Sequence, residues 1–150
     1  MKVDSPWVVP PTGGAVHYVL GAPYRFLTTS DVTNGAFSLI EVNAAPGSGV
    51  PLHRHTREDE TFFVLEGKVE VQCDGLAVVL EKDGTAFLPR NIPHSYRNPG
   101  NEPARYLVLI TPGGFEKYLE ELAALPKNQP PAMEMLAAMG KRYGLEFPAP

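Results

Sequence analysis

The chain has 150 residues, and 43% of them are apolar, which is enough for one domain with a real core. The formal net charge is −4 and no basic cluster is larger than Lys141-Arg142, so a nucleic-acid partner, which needs a basic patch, is not expected. No run of ~18 apolar residues could span a bilayer, and no apolar signal core follows Met1. We therefore expect no membrane partner and a cytoplasmic protein. The single cysteine, Cys73, excludes an internal disulfide and fits a reducing compartment.

Residues 1–16 are rich in proline and glycine, and proline lacks the N–H donor that a central strand needs. We expect an extended N-terminal arm with Trp7-Val8-Val9 as its apolar anchor. Two interpretations stay open: the arm covers its own barrel, or it reaches a partner subunit. An exposed apolar arm and open sheet edges both favour pairing, so a homodimer is predicted.

From residue 17 to residue 112 the pattern is one of short β segments separated by turns, without an intervening helix. Glu66-Gly67 and Asp74-Gly75 are hairpin-type signals. Many short strands at even spacing predict an all-β sandwich or closed barrel. The predicted strands are 17–20, 24–29, 36–42, 61–65, 68–73, 77–80, 85–88, 93–97 and 104–110, in addition to the segment that carries His53 and His55.

Residues 113–150 are predicted to form one or two helices packed on the barrel. The first has an amphipathic stripe at i, i+3, i+4 and i+7 and is ended by Pro126. Pro131 fits the first turn of a second helix and Gly144 its C-terminal stop. Whether that helix only packs on the core or also closes the barrel mouth stays open. The expected buried faces are Phe115, Tyr118, Leu119 and Leu122 in the first helix, and Met133, Leu136, Gly140 and Tyr143 in the second, with Met135 and Met139 off that face.

Three of the four histidines fall at coordinated spacing. His53 and His55 are two residues apart, so on a strand their side chains point to the same face. Glu60 follows after a short turn, and His94 supplies a third imidazole from downstream. This pattern predicts a metal site, whereas His17 has no spacing partner and is expected to be structural.

These segments resemble the paired motifs of the cupin superfamily. The first motif there reads Gly, five residues, His-X-His, three or four residues, Glu, six residues, Gly, and it fits Gly47, His53, His55, Glu60 and Gly67. The resemblance implies a double-stranded β-helix, or jelly-roll, barrel.

The second cupin motif matches at Pro89, His94 and Asn98, but Gly84 is one residue too close to Pro89. Asn91 stands where the family has its second glycine. Asparagine is the residue that, after glycine, best tolerates the left-handed conformation.

Glu60 is one of three acidic residues in Glu58-Asp59-Glu60, a run that could also be a solvated loop. Asp59 fits the three-residue version of the motif spacing. Glu60 fits the four-residue version and alone leaves six residues before Gly67, so we choose Glu60. Strand alternation then puts Phe62 and Val64 on the same face.

Imidazole and carboxylate ligands suit divalent Fe, Mn, Ni, Co or Zn. We predict one such ion per chain, held by His53, His55, Glu60 and His94. Four protein ligands on an octahedral metal leave two positions for water, oxygen or substrate, which is typical of a site that does chemistry.

Tyr96 shares the predicted inward face with His94 and is a candidate substrate contact. Phe37 and Phe62 are further candidates, and with Phe87 and Tyr106 they are expected to be interior aromatics. Whether these rings line a cavity or fill the core stays open. Cys73 is expected to be a small core residue on a strand away from the ligands.

The ligand set, with the Pro112-Gly113-Gly114-Phe115-Glu116 step into a helix, resembles small single-domain cupins related to quercetin 2,3-dioxygenases. The resemblance implies a metal that binds a deprotonated enol or catechol oxygen, Glu60 as ligand and general base, and dioxygen that cleaves the substrate. Because cupins host many activities, two alternatives remain. One is a metal-dependent isomerase or decarboxylase of a keto acid or sugar, and the other is a non-catalytic small-molecule-binding protein.

Overall fold

The computed structural model describes residues 5–149, along which strands dominate and three helices are found. The elements in chain order are β1 (Ala15–Val19), β2 (Ala22–Thr28), α1 (Ser30–Thr33), β3 (Ser38–Ala44), β4 (Gly49–His55), β5 (Asp59–Glu66), β6 (Val69–Cys73), β7 (Leu76–Leu80), β8 (Thr85–Leu88), β9 (His94–Arg97), β10 (Ala104–Thr111), α2 (Glu116–Ala123), α3 (Met133–Lys141) and β11 (Leu145–Glu146).

The strands form two antiparallel sheets, in the orders β1-β2-β3-β10-β5-β8 and β11-β4-β9-β6-β7. Residues along β10 alternate between buried and partly buried, with Tyr106, Val108 and Ile110 turned inward. The same alternation on β5 buries Phe62 and Val64, as predicted. Two sheets with their apolar faces together make the predicted jelly-roll barrel, with an N-terminal arm and two C-terminal helices.

The two predicted hairpin turns have different outcomes. Asp74 and Gly75 have φ values of 51° and 76° and join β6 to its partner β7, as a type I′ hairpin turn requires. Glu66-Gly67, by contrast, joins β5 to β6 in the other sheet, so the hairpin predicted there is wrong. Gly67 has φ 74°, and a Cβ on it would lie 2.7 Å from the Pro103 carbonyl oxygen. A glycine is therefore needed at this corner for steric reasons.

The N-terminal arm lies against its own β2. The Trp7 indole N–H donates to the Leu27 carbonyl (3.0 Å), and the Arg25 guanidinium donates to the carbonyls of Pro11 and Gly13. These contacts support the interpretation that the arm covers its own barrel. Residues 1–4 of the predicted arm lie outside the described residues.

The C-terminal segment contains both predicted helices. In α2 the stripe Phe115, Tyr118, Leu119 and Leu122 is buried, as predicted. In α3 Leu136 and Gly140 are buried, but Met133 is 49% exposed, so its predicted place on the buried face is wrong. Met139, placed off that face, packs on the core. None of the helices among residues 5–149 has the length and apolar character needed to cross a membrane.

Two elements were not predicted. The single turn α1 precedes β3, and the two-residue strand β11 pairs Leu145 and Glu146 with His55 and Arg54 of β4. The Gly144 carbonyl also accepts hydrogen bonds from the backbone and hydroxyl of Thr56. These contacts fix the C-terminal segment beside the strand that carries two of the predicted ligands.

Candidate metal centre

Three strands bring the four predicted ligand side chains together. β4 ends in His53 and His55, Glu60 lies at the start of β5, and His94 begins β9. One ligand atom from each side chain lies within 4.8 Å of the others. All four side chains are buried, with exposed fractions of 6%, 1%, 3% and 1%, respectively.

A β-bulge in β4 positions His53. Val50 pairs with Tyr96 and His53 with His94, so β4 has one more residue than β9 between these two pairs. Pro51 lies in this irregular stretch, where its missing N–H costs no ladder hydrogen bond. Its carbonyl accepts a hydrogen bond from His53 Nδ1 at 2.8 Å. The bulge thus fixes the orientation of the His53 ring.

Each histidine uses Nδ1 for a second contact. His94 Nδ1 donates to the Ile92 carbonyl (3.1 Å), and His55 Nδ1 lies 3.3 Å from Oε2 of Glu58. With Nδ1 of all three rings engaged as a donor, each Nε2 carries a lone pair available to a shared centre.

The three acidic residues Glu58, Asp59 and Glu60 have different roles. Asp59 pairs with Arg90 at 2.9 Å, outside the cluster, and Glu60 enters the cluster. Glu58 is 6% exposed and supports His55, a role that the sequence reasoning missed. Its position three residues after His55 brings it within reach of the ring, but that spacing alone does not identify the role.

The contacts at the centre are those expected around a bound cation. His55 Nε2 is fully buried and makes no hydrogen bond, although Glu60 Oε1 lies 3.4 Å away. His94 Nε2 faces Glu60 Oε2 at 3.0 Å. Two acceptors that face each other in a buried site need a proton or a cation between them. Three imidazole nitrogens and one carboxylate are also a donor set that intermediate divalent metals accept.

Burial and charge shift the titration of these groups in opposite directions. Burial lowers the pKa of His53 to about 4, aided by the nearby His94 and His55, so it is held as neutral imidazole. Burial acts in the same direction on His55, but the carboxylates of Glu60 and Glu58 outweigh it and raise its pKa to about 9, so a proton and a metal ion would compete for its Nε2. Burial alone would raise the pKa of Glu60, but the charge on His55 and the contacts with the imidazoles hold it well below its usual range.

A cavity of about 80 Å³, counted as the space where the centre of a water molecule can lie, opens at the ligands. The C-terminal segment forms part of its wall, and the Phe115 ring packs edge-on against His55 at 4.5 Å between centroids. Leu136 of α3 is among the lining residues, so the second helix contributes to the cavity wall as well as packing on the core. Apart from His53, His55 and Glu60, the lining is Val19, Leu20, Tyr24, Ile40, Val42, Val50, Pro51, Tyr96, Val108, Ile110, Phe115, Tyr118, Leu119, Leu122, Leu136, Leu145 and Phe147.

Of the predicted substrate contacts, only Tyr96 lies in this lining; its ring is 6.1 Å from that of His53. Burial holds the pKa of Tyr96 well above its usual range, so the phenol stays neutral. Phe62 is buried behind Tyr96, at 4.7 Å between ring centroids, and fills the core. Phe37 is partly buried before β3 and lies outside the cavity lining.

The structure also tests the sequence predictions for four other residues. Phe87 is 61% exposed, so its predicted interior place is wrong, whereas Tyr106 is buried in the core. Cys73 is partly buried, but it pairs with His94 across β6 and β9, so the prediction that it lies away from the ligands is wrong. The His17 ring lies tilted against Phe26 at 4.5 Å between centroids, outside the ligand cluster.

The departures from the second cupin motif are accommodated locally. Asn91 has φ 67°, the left-handed conformation that its glycine-like position predicts. Asn98 is buried, and its amide donates to the carbonyls of Ala44 and Glu102 and accepts from the Gly100 N–H. Asn98 therefore stabilises the turn from β9 to β10.

Comparisons with known proteins agree with this architecture. Residues 40–110 match the family model described as Cupin domain. The chain is 35% identical over 92 residues to the tetracenomycin polyketide synthase protein TcmJ of Streptomyces glaucescens, covering 61% of this chain and 62% of that protein. It is 32% identical over 120 residues to the quercetin 2,3-dioxygenase of Bacillus subtilis, covering 73% of this chain and 35% of that enzyme.

Among solved structures, an RmlC-like cupin from Shewanella frigidimarina superposes with a TM-score of 0.65 at 18% identity, covering 75% of this chain and 96% of that one. This likeness concerns the fold. The matches to the two curated relatives span less than two thirds of their lengths. The fold, the matched domain and the clustered motif residues together show that the chain contains a cupin domain.

Proposed function

We propose that this protein is a metal-dependent dioxygenase that acts on a small oxygen-rich aromatic or enolisable substrate, with dioxygen as the second substrate. The observation that carries the proposal is the convergence of three imidazoles and one carboxylate at a buried, largely apolar cavity. The relatives support it, because one is named quercetin 2,3-dioxygenase and another a polyketide synthase protein.

His53, His55, Glu60 and His94 would hold one divalent ion of Fe, Mn, Ni, Co or Zn. When bound, the metal would supply Lewis-acid activation of a substrate hydroxyl or carbonyl oxygen. The chain's own contribution is to hold each Nε2 in place through the Nδ1 contacts to Pro51, Glu58 and Ile92. The apolar wall excludes water from the same space.

Glu60 is the only carboxylate among the described residues that line the cavity, so it is our candidate for taking the substrate hydroxyl proton. Its low pKa makes it a weak base on its own. A hydroxyl bound in this site is itself acidified, however, which brings the two proton affinities closer together. Tyr96, a neutral phenol at the cavity surface, can donate a hydrogen bond to a substrate oxygen.

The cavity lining favours this substrate class over a keto acid or a sugar. No lysine or arginine occurs among the described lining residues. A carboxylate or phosphate away from the ligands would therefore be buried without a cationic partner, and sugar hydroxyls would lose water without replacement. An apolar body with one or two oxygens directed at the ligands avoids both costs.

The test is oxygen consumption by protein loaded separately with Fe, Mn, Co or Ni, using a panel of flavonols, catechols and enolisable diketones. We expect oxygen uptake with at least one combination, and none with the His55→Ala variant given the same metal. Turnover of a keto acid or sugar without oxygen uptake would instead identify an isomerase or decarboxylase. Tight binding with no turnover would identify a binding protein.

A further inference from the structure

The outer edge of β7 is an unusual surface. β7 is the last strand of its sheet, and no strand among residues 5–149 pairs with its outer side. Its sequence, Leu-Ala-Val-Val-Leu, is wholly apolar, and Leu76, Val78 and Val79 are 65%, 37% and 46% exposed. Edge strands are usually protected by charge, proline or a bulge, because their free N–H and C=O groups can pair with another strand. β7 contains neither charge nor proline, and it pairs with β6 in regular register.

The inner face of β7 is also uncovered. Val78 pairs with Val71, and Leu76 pairs with Cys73, so in each pair both side chains lie on the same face. Val71 is 2% exposed, whereas Val78 and Leu76 on that face remain open. The facing sheet therefore ends before it reaches β7. A strand added at this edge would pair with the backbone and pack its own side chains beside these.

The sequence around β7 is complementary to itself. In an antiparallel pair of two β7 strands centred on Val78, Leu76 of one copy faces Leu80 of the other, and Ala77 faces Val79. Just beyond the paired strands, exposed Asp74 of one copy comes towards exposed Lys82 of the other, and this happens twice by symmetry. No two like charges lie directly opposite each other in this register.

We propose that β7 pairs with β7 of a second copy of this chain, antiparallel about a two-fold axis at Val78, so that two five-stranded sheets become one. The other three edges suit this role less well. Edge strand β8 has four residues, and it begins with the polar Thr85. β11 has only two residues. On β1, Lys127 binds the Tyr18 carbonyl (3.0 Å), and α2 packs against the strand.

The first test is molar mass by size-exclusion chromatography with light scattering. We expect twice 16.3 kDa for the wild type and 16.3 kDa for Val78→Lys, because two ammonium groups would face each other at the axis. Val16→Lys, on edge strand β1 at a site 47% exposed, is the matched control and should stay dimeric. The proposal would be overturned by a wild type with the mass of one chain or by a dimer that survives Val78→Lys. Equal loss of the dimer in both variants would also overturn it.

The second test needs no disruption of the interface. In a Cys73→Ala background, Val78→Cys should give a disulfide-linked dimer on mild oxidation, because the two copies of residue 78 lie opposite each other. Leu76→Cys is the control. Its two copies would be four residues apart in register, roughly 13 Å, which is beyond the reach of a disulfide. Cross-linking through residue 76 but not residue 78 would contradict the register.

Discussion

Glu60 and Glu116 are both buried carboxylates, with 3% and 0% exposed, yet their surroundings differ. Glu116 Oε1 accepts from the backbone N–H and hydroxyl of Ser30, and Oε2 from the Ser38 hydroxyl and the Gly114 N–H, all at 2.5–2.8 Å. Glu60 instead faces imidazole nitrogens, one of which has no hydrogen bond. A buried carboxylate whose two oxygens accept hydrogen bonds from several donors stabilises the fold. One that faces other hydrogen-bond acceptors is arranged to bind a cation.

The two carboxylates affect the same cavity in different ways: Glu60 lines it, and Glu116 holds part of its wall in place. Glu116 ties α1 and β3 to the start of α2, and the preceding residue, Phe115, packs on His55. We therefore expect that changes at the Glu60 end alter metal content and turnover. Changes at Glu116 should alter stability first.

The largest effect is expected from His55→Ala, which removes the unpaired buried nitrogen. Metal content should fall from about one ion per chain to near zero, while the far-ultraviolet circular dichroism stays that of a β protein. The fold should survive because the core is built from apolar side chains such as Phe62 and Val64, not from the ion. His17→Ala is the control and should retain metal. Equal metal in both variants would contradict the assignment.

Glu60→Gln keeps an oxygen for coordination but removes the basic carboxylate. We expect it to retain part of its metal and to lower kcat by about 10²-fold or more, the usual range for loss of a general base. Oxygen consumption should be compared at equal metal loading, with Asp59→Asn, which alters the ion pair to Arg90, as the control. Turnover equal to that of the wild type would remove Glu60 from the mechanism.

Glu58 supports His55 without entering the cluster, so its removal should weaken the site rather than abolish it. We expect Glu58→Ala to weaken metal affinity by about 10–100-fold, as is usual when a partner of a ligating histidine is lost. Glu58→Gln keeps an acceptor for Nδ1 and should be affected less. Competition with a chelator measures both variants, and unchanged affinity in Glu58→Ala would show that the contact does not orient His55.

Glu116→Gln should destabilise the protein by about 2–3 kcal/mol at neutral pH, because charge-assisted hydrogen bonds are lost and an amide N–H₂ must face donors. Burial alone would raise the pKa of Glu116, but the hydrogen bonds from Ser30 and Ser38 outweigh it and lower the pKa. The difference in the free energy of unfolding between wild type and variant should therefore have its full size above the unfolded-state pKa of glutamate, about 4.3. The difference should shrink as the pH falls through the lower pKa that Glu116 has in the folded state.

Urea unfolding of both proteins across this pH range measures that difference. Glu120→Gln, in the next turn of α2 and partly exposed, is the control and should be close to neutral. A stability difference that grows as the pH falls would contradict a lowered pKa. A strong loss of metal in Glu116→Gln would show that the two carboxylates are not separate in function.

The ligand cluster could be predicted because His53 and His55 are related by local spacing and the resemblance to the cupin motifs supplied Glu60 and His94. His53 and His55 share a face by strand alternation, and the spacing to Glu60 and Gly67 fixes the following turn and strand. The left-handed Asn91 could be predicted for the same reason. Glu58 was missed because its role depends on how the loop after β4 folds back onto His55. The spacing alone does not show whether the Glu58 side chain contacts the histidine or is exposed to water.

The remaining features depend on distant contacts. β11 is two residues long and exists because β4 pairs with it, so no local pattern marks it. The bulge at Pro51 depends on how β4 pairs with β9, which the sequence of β4 alone does not show. Phe87 lies in an apolar run, Ala86-Phe87-Leu88, in which strand alternation cannot be read, and it is Ala86 and Leu88 that turn inward. Helix periodicity likewise places Met133 on the buried face of α3. It could not show that this first residue of the helix is left uncovered.

The most direct test of the central claim, that His53, His55, Glu60 and His94 form one metal site, is elemental analysis of purified wild-type protein and of the His53→Ala/His55→Ala double variant. Both are reconstituted with the same divalent ions and dialysed. We predict about one transition metal ion per wild-type chain and none in the folded double variant. Full occupancy in the double variant, or a folded wild type that binds none of Fe, Mn, Co, Ni and Zn, would contradict it.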